Sequence, residues 1–299
     1  MKHLLSIESL SANDIVEILN RTRTIKAERG AHREQPLKGQ VWALIFSKSS
    51  TRTRVSFEVG IRELGGDAIF LNANDIQLGR GEPIKDTARV MSRMLHGAVI
   101  RTFAQKDVED FAAYGKIPTI NALTDSEHPC QILADLFTIQ ERLGTYEGKT
   151  VTFVGDGACN VPVSWIWAAA RLGFNLRIAA PKAFQPSAAL MARVNSPNIT
   201  VTENIREAVA GADIIYTDVW VSMGAEKEAE YRIAQLSGYQ INRELVNLAK
   251  PGALVMHCLP AYRGKEITEE VFEQHADVIF QQAENRLHVQ KAIICWMLE

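Results

Sequence analysis

The feature that most limits what this chain can become is an alternation. Short apolar runs recur at 41–46, 68–71, 98–100 and 119–123, and stretches with helical apolar spacing lie between and after them at about 52–64, 84–96, 107–114 and 130–143. Pro83 stands where a helix's first residue belongs, and Gly97 where one ends. Strands alternating with helices mean a parallel, doubly wound α/β sheet. After the Leu143 to Lys149 stretch the pattern restarts, with strand-like runs at 151–154, 176–179, 199–201, 214–217, 254–256 and 278–280. The chain therefore reads as two doubly wound parallel-sheet domains, 1–145 and 146–299, joined by a hinge near 140–149. A last helix, at about 284–299, is able to pack back on the first domain.

Smaller signals complete the outline. Ser11, with Asp14 three residues on, forms a capping-box start for a first helix. The 21–40 segment is charged and reads as a surface connection, and 218–240 is the longest unpatterned piece, a length that marks a functional or mobile loop. A length of 299 residues suits two domains, and 46% hydrophobic residues can fill two cores. A net charge of −2 supplies no global field for nucleic acid or an anionic membrane. Cys130, Cys159, Cys258 and Cys295 are scattered without a CxxC pair, which argues for a reducing compartment and against a zinc site or disulfide frame. The first ten residues lack a signal-peptide core and no run approaches a membrane span, so a soluble cytoplasmic protein is expected.

The chemistry gathers where strands end, as it does in such sheets. Ser47-Lys48-Ser49-Ser50-Thr51-Arg52-Thr53-Arg54 follows the first strand and opens a helix. Free N–H groups and the positive helix end point into that turn, and five hydroxyls with two arginines make a seat for an oxygen-rich anion, most simply phosphate. A plain capped helix start with two solvated arginines is the bland alternative, but the unbroken polar run is excessive for a cap. The third strand ends at Arg101, and the fourth is followed by His128-Pro129-Cys130-Gln131. His128 alone suits a helix-start histidine. Together with Arg101 and the Thr53 hydroxyl it could polarise one carbonyl oxygen.

In the second half, Gly155-Asp156-Gly157 invites a dinucleotide reading. Asn160 stands where a third glycine is due, and the next strand ends in Ala180-Pro181 without the required acid, so that reading is rejected. Asn160 offers an amide to a small polar ligand, or merely caps a helix. Asp218 suits an ammonium group and shares its loop with Ser222 and Met223. Cys258 beside His257 suggests a nucleophile pair, but neighbours on an extended chain point opposite ways, so Cys258 reads as a ligand contact or a buried thiol. Gln77 opens a glycine-rich loop able to lie over an anion or over a neighbouring subunit's site, and Arg286 opens the last helix.

In this order the pieces resemble the carbamoyltransferases along the whole chain, and the ornithine branch most closely. Ser50-Thr51-Arg52-Thr53-Arg54 with Ser56-Phe57-Glu58 is similar to the family's carbamoyl-phosphate signature, and His128-Pro129-Cys130-Gln131 follows at family spacing. Asp218 with Ser222-Met223-Gly224, and His257-Cys258-Leu259-Pro260, resemble the ornithine branch. The resemblance implies that Ser50, Thr51, Arg52 and Thr53 hold phosphate, and that Arg101, His128 and Gln131 bind the carbamoyl end, with Cys258, Leu259 and Arg286 contributing. It implies ornithine contacts at Asn160, Asp218, Ser222 and Met223, and a family-like cis peptide at Leu259–Pro260. Gln77 matches a residue lent to the adjacent subunit, which implies a homotrimer. Cys159 stands where the family usually carries the first of two asparagines, and Pro162 and Trp165 nearby are also unusual.

The implied reaction is transfer of the carbamoyl group from carbamoyl phosphate to the δ-amine of L-ornithine, giving L-citrulline and phosphate. No covalent intermediate, metal or organic cofactor is expected, and domain closure with the 218–240 loop would exclude water. The alternatives are a transferase for another amine, such as putrescine or acetylornithine, or an inactive carbamoyl-phosphate-binding relative. Putrescine would leave Asp218 and Asn160 without their partners.

Overall fold

A computed structural model describes residues 1–32 and 34–299. The chain divides into two compact units, Met1–Phe137 with Glu284–Glu299, and Thr138–Ala283. In chain order the elements are α1 (Ala12–Ala27), β1 (Val41–Phe46), α2 (Thr51–Glu63), β2 (Asp67–Asn72), α3 (Ile84–Met91), β3 (Gly97–Arg101), α4 (Gln105–Gly115), β4 (Thr119–Leu123) and α5 (Pro129–Leu143). There follow β5 (Thr150–Val154), α6 (Asn160–Leu172), β6 (Asn175–Ala179), α7 (Ala188–Val194), β7 (Ile199–Thr202), α8 (Ile205–Val209), β8 (Ile214–Thr217), α9 (Ala229–Leu236), α10 (Arg243–Val246), β9 (Leu254–His257), α11 (Glu269–Gln274) and α12 (Ala276–Met297). Both α5 and α12 begin in one unit and end in the other, so the divisions fall inside helices rather than in the 140–149 stretch. No helix among the described residues is long and apolar enough to cross a membrane.

The first unit holds a parallel sheet of order β2-β1-β3-β4. β1 and β3 are buried almost throughout, as strands covered on both faces must be, whereas β2 forms an edge and is partly exposed. Phe46 lies in register with both Asn72 and Arg101, and Arg101 with Leu123, so all four strands finish at one level. The strand order reverses between β1 and β3. That is the switch point outside which doubly wound sheets bind ligands.

The second unit holds a parallel sheet of order β7-β6-β5-β8-β9. Its order reverses between β5 and β8, which places the turns after Val154 and Thr217 at the equivalent level. Val154, Ala179, Ile215 and Val255 pack with Val271, Phe272 and Ile279 in one apolar cluster.

Three readings of the sequence change. Residues 278–280 are not a strand but lie in α12, where Ile279 is buried and Phe280 meets Phe272 edge-on. Three apolar residues cannot by themselves distinguish a strand from a buried helix turn. The 21–40 segment, which includes Arg33 outside the described residues, begins as the end of α1, and Thr22 is buried there with its hydroxyl donating to Ile18 O at 2.7 Å. The 218–240 piece contains α9 and a 3-10 turn at Glu226–Glu228.

Gly97 also has a different office. It opens β3 opposite Trp42, and a Cβ there would lie 2.5 Å from the fully buried indole. The strand and the ring are both buried, so making room disturbs packed neighbours. Gly97→Ala should therefore cost about 1–3 kcal/mol, the usual range for overpacking. A lowered urea midpoint would register it, and an unchanged midpoint would contradict the contact.

Candidate active site

In the first unit the turn after β1 is organised by Ser50 and Thr53. Ser50 is the N-cap of α2; its Oγ accepts the Thr53 N–H at 3.2 Å and donates to Thr53 Oγ1 at 2.9 Å. Thr53 is fully buried, and its Oγ1 also accepts from Arg286 Nη2 at 2.8 Å. A hydroxyl that accepts twice keeps its own proton to give. Thr51 and Arg52 lie exposed on the first turn of α2, where its N–H groups converge.

Arg54 turns away from this seat. It pairs with Glu58 at 2.7 Å and lies over the Phe70 ring at 3.9 Å, so one of the two arginines read into the anion seat is committed elsewhere. Lys48, which the sequence did not single out, is buried over the Phe103 ring at 4.3 Å and paired with Asp125. It staples together the loops after β1, β3 and β4. The signal was an aliphatic-stemmed cation inside a run of small hydroxyl residues.

Arg101, His128, Gln131 and Arg286 are all buried in this unit. Burial pushes the His128 pKa well below its ordinary value, and the Arg286 and Arg101 guanidiniums push the same way. His128 is therefore a neutral imidazole among cations at neutral pH. Gln131 Nε2 donates to Asp135 Oδ1 at 2.8 Å, while its Oε1 is buried with no protein partner. Cys130 is structural: burial pushes its thiol up to about 12 and its Sγ donates to Asn121 O at 3.5 Å. Gln77 opens an exposed 3-10 turn, Gln77–Arg80, after β2.

In the second unit the turn after β5 leads to Asn160, the first residue of α6 and half-buried. Gly155 has φ +134°, and a Cβ on Gly157 would lie 2.7 Å from Ile178 Cγ2. Both glycines thus have backbone reasons to be there without any dinucleotide. Cys159, the N-cap, makes no capping bond; its Sγ donates to Asp156 O at 3.2 Å. Burial holds its pKa well above the usual thiol value, with Asp156 and Asp218 adding to the effect.

Asp218, after β8, accepts the Val219 N–H at 2.7 Å and the Cys258 S–H at 2.9 Å on Oδ1. Burial raises its pKa, against the pull of those two bonds. Asp218, His257 and Cys258 offer ligand atoms within 4.8 Å of one another. Their own hydrogen bonds already engage them. His257 Nδ1 accepts the Leu259 N–H at 2.9 Å, which leaves Nε2 to face Glu266 at 3.3 Å. His257 and Cys258 therefore act on different partners, and no dyad forms. Leu259 sits at φ +60° before a cis Leu259–Pro260 bond. Ser222 is half-buried and Met223 exposed on the loop after Trp220.

Two α/β units carrying these residues at their switch points match a known family along almost the whole chain. Residues 2–141 match the aspartate/ornithine carbamoyltransferase carbamoyl-P binding domain, and 147–297 match the Asp/Orn binding domain of the same family. The chain belongs to the aspartate/ornithine carbamoyltransferase family. Within it, the chain is 57% identical over 301 residues to an ornithine carbamoyltransferase from Akkermansia muciniphila, covering 100% of this chain and 99% of that one. Among solved structures it resembles the anabolic ornithine carbamoyltransferase of Campylobacter jejuni, with a TM-score of 0.94 at 42% identity and 99% of each chain covered. The ornithine carbamoyltransferase of Pyrococcus furiosus gives 0.92 at 43% identity, covering 99% of this chain and 96% of that one.

The buried, neutral His128 makes a pH prediction. Its folded pKa is depressed, so the unfolded chain binds a proton near pH 6.5 that the folded chain refuses. The stability it confers is complete above that value and is lost as pH falls below it, at up to about 1.4 kcal/mol per pH unit for one proton. Urea unfolding from about pH 7.5 to about 5.5 should show a shallower slope in His128→Gln than in the parent. Equal slopes would contradict a neutral buried imidazole.

Proposed function

We propose that this protein is an ornithine carbamoyltransferase, transferring the carbamoyl group of carbamoyl phosphate to the δ-amine of L-ornithine to give L-citrulline and phosphate. The observation that carries the reading is the buried set around Thr53: two guanidiniums, Arg101 and Arg286, and a neutral His128 in the unit that matches the carbamoyl-P binding domain. Such a set suits an oxyanion adjoining a phosphate.

Ser50, Thr51, Arg52 and Thr53 hold the phosphate at the start of α2. Arg101, His128 and the Thr53 hydroxyl donate to the carbonyl oxygen, and Arg286 orients Thr53 while adding positive charge. Gln131 Oε1 accepts from the carbamoyl amide. The uncharged δ-amine attacks the carbonyl carbon, negative charge grows on the carbonyl oxygen, and the carbon–oxygen bond to phosphate breaks. The departing phosphate takes the proton that the amine gives up. Asp218 binds the α-ammonium of ornithine, Asn160 its carboxylate end, and Ser222 and Met223 line the same substrate. Cys258, a thiol hydrogen-bonded to Asp218, and Leu259 complete the carbamoyl contacts. The likeness to an enzyme described as anabolic favours the citrulline-forming direction, in arginine synthesis. Four free cysteines favour a reducing, cytoplasmic compartment.

The reading includes a homotrimer in which Gln77 reaches the adjacent subunit's phosphate. Exposed Val55 (53%), Ile69 (45%) on the edge strand, and Met94 (70%) support an interface on the first unit. Sedimentation or light scattering should give three times the 33.2 kDa chain mass. A monomer at micromolar concentration would remove the shared-site assignment of Gln77.

Carbamoyl transfer, read as phosphate release with formation of the ureido product, should be strong with ornithine, giving citrulline, and weak with putrescine, acetylornithine and aspartate. Turnover with another amine would discard the roles of Asp218 and Ser222 but keep the phosphate half. Arg52→Lys should lose roughly 10²–10³ in rate, because a point charge cannot replace a bidentate fork. Near-normal turnover would show that Arg52 does not hold the phosphate.

A further inference from the structure

One carboxylate in the second unit serves two segments at once. Asp156 Oδ1 accepts the Ala158 N–H at 3.0 Å and so shapes the turn that presents Cys159 and Asn160. Its Oδ2 accepts from Arg232 Nη1 at 2.7 Å. Arg232 lies on α9, nine residues beyond Met223, in the same excursion that carries Ser222. Asp156 is buried and Arg232 nearly so. The guanidinium also lies over the Phe184 ring at 5.1 Å and pairs through Nε with Glu228 at 3.1 Å.

What else holds this excursion is modest. Trp220 and Leu236, at its two ends, pack with Phe184 and Ile233 in a small apolar cluster. Between them, residues 223–230 are largely exposed. A long exposed loop with few buried contacts opens easily. The Asp156–Arg232 pair is a largely buried, charged tie between that loop and the turn after β5, and removing Arg232 leaves the buried Asp156 uncompensated.

We propose that the Asp156–Arg232 pair is a positioning latch that holds the 218–240 excursion in register with the Gly155–Asn160 turn, so that the ligands for the acceptor amino acid on the two segments are kept beside one another. The inference deepens the proposed function and rests on it for the identity of the acceptor. Asp156 and Arg232 touch no reacting atom; they act through Asn160, Ser222 and Met223. Specificity for an α-amino acid then depends on a pair set back from the ligands themselves.

The test uses the full chain with three variants. Arg232→Met removes the charge, Arg232→Lys keeps it, and Asp156→Asn keeps an oxygen for Ala158 N–H while weakening the pair. Hydrogen exchange of residues 221–236, read without substrate, should quicken in Arg232→Met and Asp156→Asn and recover in part in Arg232→Lys. KM for ornithine should rise roughly ten- to a hundredfold in the first two, with a smaller change in kcat and unchanged inorganic phosphate affinity. The double variant should be no worse than either single one, because both break one interaction. Unchanged exchange and unchanged ornithine KM in Arg232→Met would overturn the latch. So would an equal loss of phosphate affinity, which would mark general destabilisation. If the parent protein forms no citrulline, the functional reading fails, while the exchange data still decide whether the pair holds the loop.

Discussion

The hydrogen bond from Arg286 to Thr53 joins residues 233 positions apart, and the first unit is arranged to make it. Thr53 is placed by the N-cap of α2, which follows a buried strand at the switch point of the sheet. Arg286 is placed by α12, whose last fourteen residues, 284–297, belong to this unit. Further along the same two helices, Gly60 lets the backbones approach: a Cβ there would lie 3.2 Å from Lys291 Cγ. Lys291, fully buried, closes the contact through Glu63 at 2.5 Å and His32 at 3.2 Å. A buried lysine is costly unless so satisfied. The register of α12 on α2, and with it the aim of Arg286, is set by a glycine and by the Lys291–Glu63 ion pair.

The second unit solves a different problem. In the proposed function an amino acid acceptor needs a carboxylate for its ammonium group, yet a partly buried carboxylate resists ionising. Asp218 is given the Val219 N–H and the Cys258 S–H to offset its burial. His257, close by, is engaged by the Leu259 N–H and Glu266. The left-handed Leu259 permits that backbone bond and follows directly from a strand ending at His257. The Cys258 Sγ is spent on Asp218, which suits a donor better than a nucleophile.

Much of this was legible in the sequence, for a physical reason. Parallel strands covered on both faces must be apolar without interruption, so β1, β3, β4, β5 and β8 stood out, and the residues after them formed the candidate site. What failed was local pattern where tertiary packing decides. Residues 278–280 look like a strand because α12 is buried over much of its surface and shows no clean stripe. Gly97 looked like a helix terminator because the indole that forbids a side chain there belongs to another strand. Arg54 looked like a phosphate ligand because Phe70, which draws it away, is distant in sequence. The roles of Lys48, Asp156 and Arg232 were hidden for the same reason: each is defined by its partner, and the partners are Asp125 and Phe103 for the first and one another for the last two.

The central claim is that the anion seat in the first unit is assembled by α12 as much as by the turn after β1. Calorimetric titration of inorganic phosphate into the parent protein and Arg286→Met tests it without any acceptor or turnover. A buried charge-assisted donor is worth about 1.5–3 kcal/mol, so phosphate affinity should fall by roughly ten- to a hundredfold. Equal affinity in a folded Arg286→Met protein would show that the seat stands without the last helix, and the account built on that contact would be wrong.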